Sequence, residues 1–588
     1  MAKFDHTNDH PTVSRRTVLA GTGALAGGAL VGTALLKSDA IAQEGETQVP
    51  ATPVALGPAM PPEYTDYAND WPSQNGNLSN TRASASTSID SSNVSTLGVA
   101  WSFPLNVAGT YGAMTSNPIV NGDTVYLVDM QSNLYALDKS TGNTLWTKDY
   151  NIGTVGPNGL TVAYGNLYSI LGDTAEVVAV KVATQEELWR VKLTNNIGEG
   201  IDIAPIVYDN TVYLSTVPGN STVFYRGGQK GIFYALDASS GSTIWQWDTT
   251  TDDLWGNGRV NSGGGLWNPP AVDTDTGMLY LAVANAAPYP GNTEFPNASS
   301  RPGQNDYVNN LVALDPTTAG VKWHVNIKPD DNYDLDNHLS PIIVDTEIGG
   351  APVTLVVTSG KHGYVAAVDT NVGNTVWKIP VGRHENENVE EIPEGQTLEV
   401  FPGTLGGVET CMAYADGTVF APVLNWPSTY TSTSLDLSGG LDLSNATGEL
   451  VAIDVTNGQI KWSVEIPTGI LGAATVANDV VFTGGLDGVI RAFKTTDGTP
   501  LWSVTGTSGI NAPFAISGDY LIVPTTAAYI ASPDSNMTGT PGLAVHAFKL
   551  GASGATPAPQ DVAPADNAAT PTNPGDPQFA TPIATPAT

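Results

Sequence analysis

One cysteine in 588 residues, Cys411, excludes an internal disulfide, and with no Cys-x-x-Cys-His stretch the chain carries no covalent haem domain. A lone thiol of this kind is expected to serve as a small buried hydrophobe. Cationic side chains are scarce as well. Only 23 Lys+Arg face 57 Asp+Glu, a net charge of −34, which argues against binding to nucleic acid and against adhesion to anionic lipid, both of which need a basic surface. Charged residues make up just 14% of the chain, so its acidity comes mostly from missing Lys and Arg. Also absent, between Trp71 and Leu550, is any long segment with a 3.6-residue apolar period, which argues against a helical body.

What the chain has in quantity is glycine, 63 residues, among short apolar runs separated by Asn, Asp, Thr and Pro. In NPIVNGDTVYLVDMQSNLYALD, Ile119-Val120 leads through an Asn121-Gly122 turn into Thr124–Leu127, and after a break into Leu134–Leu137. This is the pattern of strands joined by hairpins. One unit recurs throughout: Ala, then Asp two residues on, then Gly, then Trp. It is complete at Ala136/Asp138/Gly142/Trp146, Ala235/Asp237/Gly241/Trp245, Ala367/Asp369/Gly373/Trp377 and Ala452/Asp454/Gly458/Trp462. Ala319 replaces Gly in the copy ending at Trp323, Lys494 replaces Asp in the copy ending at Trp502, and Ala179/Trp189 is the weakest copy. Each unit carries about four strands, the size of one propeller blade.

Seven motif tryptophans give seven blades, and the two ends supply an eighth. Trp101 ends a half repeat that lacks its first strands, and GLAVHAFKLG near Ala547 and Lys549 has those strands but no Trp. The expected fold is therefore all-β: an eight-bladed propeller of four-stranded antiparallel blades, closed by N- and C-terminal strands so that no sheet edge stays open. In each blade Ala permits close approach, Gly makes the turn, Asp accepts turn hydrogen bonds, and Trp wedges between blades with its N–H free to find a carbonyl. The longest gaps between motif tryptophans, Trp245 to Trp323 and Trp377 to Trp462, mark insertions where a site is expected.

The ends are different in kind. Ser14-Arg15-Arg16, an apolar Gly/Ala-rich run and Ala40-Ile41-Ala42 read as a twin-arginine export signal over 1–42, with maturation at Gln43. The run is long enough to be an uncleaved anchor, but its glycines and cleavage-like end favour removal, leaving no membrane insertion and a periplasmic or extracellular protein. Residues 43–66 read as a linker, 67–551 as the propeller, and 552–588 as a disordered Pro/Ala/Thr-rich tail.

The repeat resembles the tryptophan docking motif of the quinoprotein alcohol dehydrogenases, eight-bladed propellers that hold pyrroloquinoline quinone (PQQ). The likeness is sharpest from SGGGLWNPPAVDTDTGMLYLAVANAAPYPG through KPDDNYDLD to SGKHGYVAAVD. The resemblance implies alcohol oxidation with PQQ, a calcium or lanthanide ion and an external electron acceptor. It places Trp267 as the aromatic floor of the quinone, Lys361 on the quinone oxygens, and Asn285 and Asp334 on the metal. Asp334 also serves as the catalytic base, and Asp336 falls where lanthanide-using members have an extra metal carboxylate.

Departures from the family pattern are equally specific. Counting back from Asp237, the metal-binding Glu position holds Arg226, and Val217 to Gly231 contains no acid at all. The vicinal Cys pair is impossible, the Arg that pairs a quinone carboxylate is replaced near Pro157, and the segment at Met114 lacks the family's Glu. Arg226 could supply the missing cationic contact to a quinone carboxylate. Two readings therefore stand: an exported quinoprotein oxidoreductase, or a propeller that kept the scaffold and acts as a non-catalytic binding or assembly module.

Overall fold

The computed structural model describes residues 52–554, apart from 108, 110, 251–252, 437–441 and 528–541. The expected export signal and nearly all of the C-terminal tail lie outside the described residues. Regular helix within them is confined to Pro62–Asp66 and the single 3₁₀ turns Val94–Thr96 and Gly172–Thr174. No helix among them is long and apolar enough to cross a membrane.

Eight four-stranded antiparallel blades follow one another along the chain. The first is Ile119–Asn121, Thr124–Val128, Leu134–Asp138 and Thr144–Lys148, and the same in-order meander recurs up to Pro500–Thr505 in the seventh. The eighth is assembled from both ends: Ala515–Ser517, Tyr520–Thr525 and Ala544–Leu550 are completed by Leu97–Pro104, which pairs antiparallel with Ala544–Leu550. The ring is thus closed by a blade made of strands from both ends of the propeller.

The register explains the repeat. In every blade the motif Ala lies directly opposite the motif Trp: Ala136–Trp146, Ala179–Trp189, Ala235–Trp245, Ala313–Trp323, Ala367–Trp377, Ala452–Trp462 and Ala492–Trp502, with Ala547–Trp101 across the closing pair. Six of the eight indoles then hydrogen-bond into the next blade. Trp101 donates to Lys139 O, Trp189 to Ala238 O, Trp245 to Pro316 O, Trp323 to Thr370 O, Trp377 to Val455 O and Trp462 to Thr495 O, at 2.7–3.1 Å. The acceptor is always the residue after the motif Asp position, whose carbonyl the tight turn exposes.

That turn is held by the Asp. Asp138 Oδ1, for example, accepts the backbone N–H groups of Ser140 and Thr141. Gly458 shows why the motif specifies glycine: its φ is +73°, and a Cβ there would stand 2.9 Å from the Trp377 ring. Ala319 takes the same position at φ 53° and still packs in the cluster containing Trp245.

One further segment binds the ring. Residues 71–84 bond to the first strands of blade one and of blades four to seven. Trp71 exchanges backbone hydrogen bonds with Val120, Leu78 O accepts from Val272, Ser79 O from Ile343, Thr81 O from Tyr414 and Arg82 O from Val476. The Arg82 side chain is fully buried and donates to Ala474 O, Gln74 O, Asn75 Oδ1, Asn117 Oδ1, Thr475 Oγ1 and Phe514 O. These acceptors come from the segment itself and from blades one, seven and eight.

Candidate functional site

The two long insertions meet at a cavity of about 250 Å³. From the fourth blade and the segment before it come Trp267 and Tyr289; from the fifth, Asp334, Asp336, His338 and Lys361. The Val381–Met412 connection and the sixth blade contribute Thr404, Leu405, Glu409 and Leu443. Trp267, Tyr289, Thr404, Leu405, Glu409 and Leu443 come from the two insertions expected to carry a site, whereas Asp334, Asp336, His338 and Lys361 lie between them, in the Trp323–Trp377 interval.

Trp267 follows Gly263, Gly264 and Gly265, all at positive φ, and a Cβ on Gly265 would stand 2.6 Å from Thr216 O. Only glycine lets this strand lie so close against the third blade, which brings the indole to the cavity wall. Phe224, Tyr225, Tyr289 and Tyr111 add further aromatic surface. Such a lining fits a flat, conjugated ligand.

Asp334 sits at the centre of the polar contacts. Its Oδ1 accepts from Asn285 Nδ2 at 2.7 Å, and its Oδ2 accepts from Lys361 Nζ at 3.1 Å and from the Thr404 hydroxyl. The turn presenting it is fixed by Asp331, whose carboxylate accepts the N–H groups of Tyr333 and Leu335 and an N–H of the Asn309 amide. Asp334 itself is held at φ 62°, a left-handed conformation that costs on the order of 1–3 kcal/mol and is tolerated where surroundings enforce it. Burial pushes its carboxyl up to about 7 in spite of the Lys361 ammonium beside it.

Lys361 Nζ is also 3.1 Å from Asp336 Oδ1. Burial works to lower the lysine, but the two aspartates outweigh it and hold its pKa well above the ordinary value, so it remains an ammonium. The segment carrying Asp334 and Asp336 is irregular, so their common direction does not come from strand alternation. It comes from the lysine between them. Neither acid is solvated, at 3% and 0% exposure.

Asn285 is fully buried, and its Oδ1 accepts the Tyr225 hydroxyl at 3.1 Å. Tyr225 belongs to the acid-free stretch Val217–Gly231, so where the family pattern has a carboxylate this chain brings a phenol. Arg226, expected on a quinone carboxylate, is not among the lining residues; its neighbours Phe224 and Tyr225 take the wall. On another side, Val155, Gly156 and Pro157 line the cavity. Asp202 holds them there by accepting the N–H groups of Val155 and Gly156 and the Thr154 hydroxyl.

Sequence reasoning passed over Glu409, His338, Thr404 and Tyr225. Glu409 carries a carboxyl that burial raises to about 8, and His338 Nε2 lies 3.7 Å from its Oε2. A search for isolated acids in the Trp377–Trp462 insertion would have included Glu409, whereas Thr404 and Tyr225 give no signal of their own. Cys411 is buried as expected, and also lines the cavity.

Among the described residues no three His, Cys, Asp or Glu side chains are gathered into a ready metal cage. The donor chemistry nonetheless fits a hard cation. Three carboxyl groups face one ammonium, and Asp336 Oδ1 and Oδ2 and Glu409 Oε2 have no hydrogen-bond partner.

Two family models match the chain: "Glucose/ethanol/alcohol dehydrogenase, beta-propeller domain" over residues 71–163 and 165–391, and "Outer membrane protein assembly factor BamB" over 361–540. The chain is 26% identical over 511 residues to the quinohemoprotein alcohol dehydrogenase of Comamonas testosteroni, covering 76% of this chain and 70% of that protein. It is 26% identical over 503 residues to the quinoprotein ethanol dehydrogenase of Pseudomonas aeruginosa, covering 72% and 80%. Its fold superposes on the crystal structure of the Comamonas testosteroni enzyme with a TM-score of 0.71, at 23% identity over 84% and 82% of the two chains. A europium-containing methanol dehydrogenase gives 0.67, at 20% identity over 82% and 98%.

Proposed function

The chain belongs to the glucose/ethanol/alcohol dehydrogenase β-propeller family, and on that premise we propose that it is an exported quinoprotein that oxidises an alcohol with PQQ, a calcium or lanthanide ion and an external electron acceptor. The observation that carries this reading is the convergence of Trp267, Asp334, Asp336 and Lys361 on one cavity, with Asn285 bonded to Asp334 behind them. Bound PQQ would supply the two-electron oxidant. The chain's own residues do the rest. Trp267 offers the flat face on which a quinone stacks, and Lys361 the ammonium that meets charge on its oxygens. Asp334 takes the substrate hydroxyl proton at a carboxylate oxygen, and its elevated pKa matches a base working near neutrality. Asn285, Thr404 and Lys361 keep that carboxylate oriented.

Phe224, Leu405, Leu435, Leu443 and Leu471 exclude water from the same space and favour an alcohol with a hydrocarbon body. The second reading, a binding or assembly module without chemistry, is favoured by the acid-free loop that brings Tyr225 and by the missing cysteine pair. Reconstitution separates the two. The mature protein is mixed with PQQ plus calcium or lanthanum, and bound quinone absorbance and alcohol-dependent dye reduction are measured. Stoichiometric quinone and turnover that Asp334→Ala abolishes are expected. No quinone retained with either metal would sink the enzyme reading.

A further inference from the structure

Beside the cavity's polar centre, satisfied and unsatisfied oxygens separate into two groups. On one side the oxygens of Asn285 and Asp334, two of the three residues that the family resemblance assigns to the metal, already have protein partners. Asn285 Oδ1 accepts from Tyr225, Asp334 Oδ1 from Asn285, and Asp334 Oδ2 from Lys361 and Thr404. On the other side stand Asp336, completely buried with no hydrogen bond to either oxygen, and Glu409, whose Oε2 is likewise unbonded. Both line the cavity. His338 links them, with Nδ1 at 3.4 Å from Asp336 O and Nε2 at 3.7 Å from Glu409 Oε2.

Buried carboxylate oxygens left without partners cost several kcal/mol unless a cation or proton meets them. Lys361 reaches only Asp336 Oδ1, which leaves Asp336 Oδ2 without a cation among its contacts. Oxygen-rich, flexible and anionic surroundings are those that hard cations take.

We propose that the cation of this site is held by Asp336 and Glu409, on the His338 side of the cavity, and not by the Asn285–Asp334 pair. Glu409 thereby stands in for the carboxylate absent from Val217–Gly231. Tyr225 keeps the amide oxygen of Asn285 occupied, which leaves Asp334 to its lysine and free of a metal bond. The proposal rests on the cation part of the reading above, and its test does not use turnover.

The purified mature protein is titrated with Tb³⁺, and emission sensitised by the cavity indole of Trp267 is recorded alongside bound-quinone absorbance in the same samples. Asp336→Asn and Glu409→Gln are expected to weaken Tb³⁺ binding at least tenfold, while Asn285→Ala leaves it within about threefold. Because Asn285→Ala could disturb the fold, Tyr225→Phe provides an independent arm. It frees the amide oxygen of Asn285 and is expected to leave Tb³⁺ affinity unchanged. Wild-type-like binding by Glu409→Gln, or severalfold tighter binding by Tyr225→Phe, overturns the proposal and returns the ion to Asn285. Absence of saturable Tb³⁺ binding in the wild type overturns it outright, and the quinone absorbance then shows independently whether the PQQ reading stands.

Discussion

The docking ring and the axial cavity are built by opposite rules. In the ring, one arrangement is made eight times: Ala opposite Trp, with the indole driven against the neighbouring blade. In the cavity each contact is made once, by residues from irregular segments with no counterpart in other blades. Repetition spreads the stability of the ring over many equivalent joints, while the chemistry rests on a few groups held by Asp331, Asn285 and Lys361. The difference predicts that stability and activity can be damaged separately.

The largest effect should fall on the cavity. Asp334→Asn is expected to lower kcat by about 10²–10⁴ while leaving the urea midpoint close to wild type, since the amide keeps the shape but loses the base. Next comes the ring. Trp377→Ala removes a buried indole bonded to Val455 O and should cost about 3–5 kcal/mol in urea denaturation, with kcat at a permissive temperature almost unchanged. If Trp377→Ala abolished turnover in a folded protein, the separation of the two regions would fail.

A smaller effect concerns the seam. His546 is buried in the closing blade, bonded to Ser102 of the N-terminal strand and to Thr507, and burial pushes its pKa down to about 4. The unfolded chain takes up this proton near pH 6.5, so between 6.5 and 4 it binds more protons than the folded one, and stability falls as pH falls through that window. Denaturation at pH 7 and pH 4.5 should show a loss on the order of 1–3 kcal/mol that His546→Gln lacks. The smallest expected effect is on specificity: Leu443→Ala should lower the ratio of kcat/KM for 1-hexanol over ethanol by about tenfold, the worth of one or two buried methylenes.

The same contrast governs what could be read from residues alone. The eight Ala–Trp pairs were legible because one packing demand recurs, and even the weak copy at Ala179/Trp189 proved to be a true pair in register. The closing strand was legible because two half units at opposite ends each lacked what the other had. Within the cavity, Trp267, Asp334, Asp336 and Lys361 could be named through likeness to a family, but their mutual geometry could not. An isolated Lys before a glycine turn looks like surface until Lys361 is seen between two buried acids. Tyr225 and Glu409 come from loops whose only constraint is where they end in space, and nothing in their local pattern announces that. Arg226 shows the limit of counting along such a loop. One residue of difference put Tyr225, not its neighbour, into the wall.

The segment 71–84 has a consequence for the order in which the molecule can be finished. It is made early, yet Arg82 must wait for Ala474, Thr475 and Phe514, 392 to 432 residues later, before its guanidinium has half of its six acceptors. The strand containing Trp101 waits longer still for Ala547. Blades can form locally and in sequence from the N-terminal side, but the part of the body synthesised first is the last to be secured, so assembly ends where synthesis began.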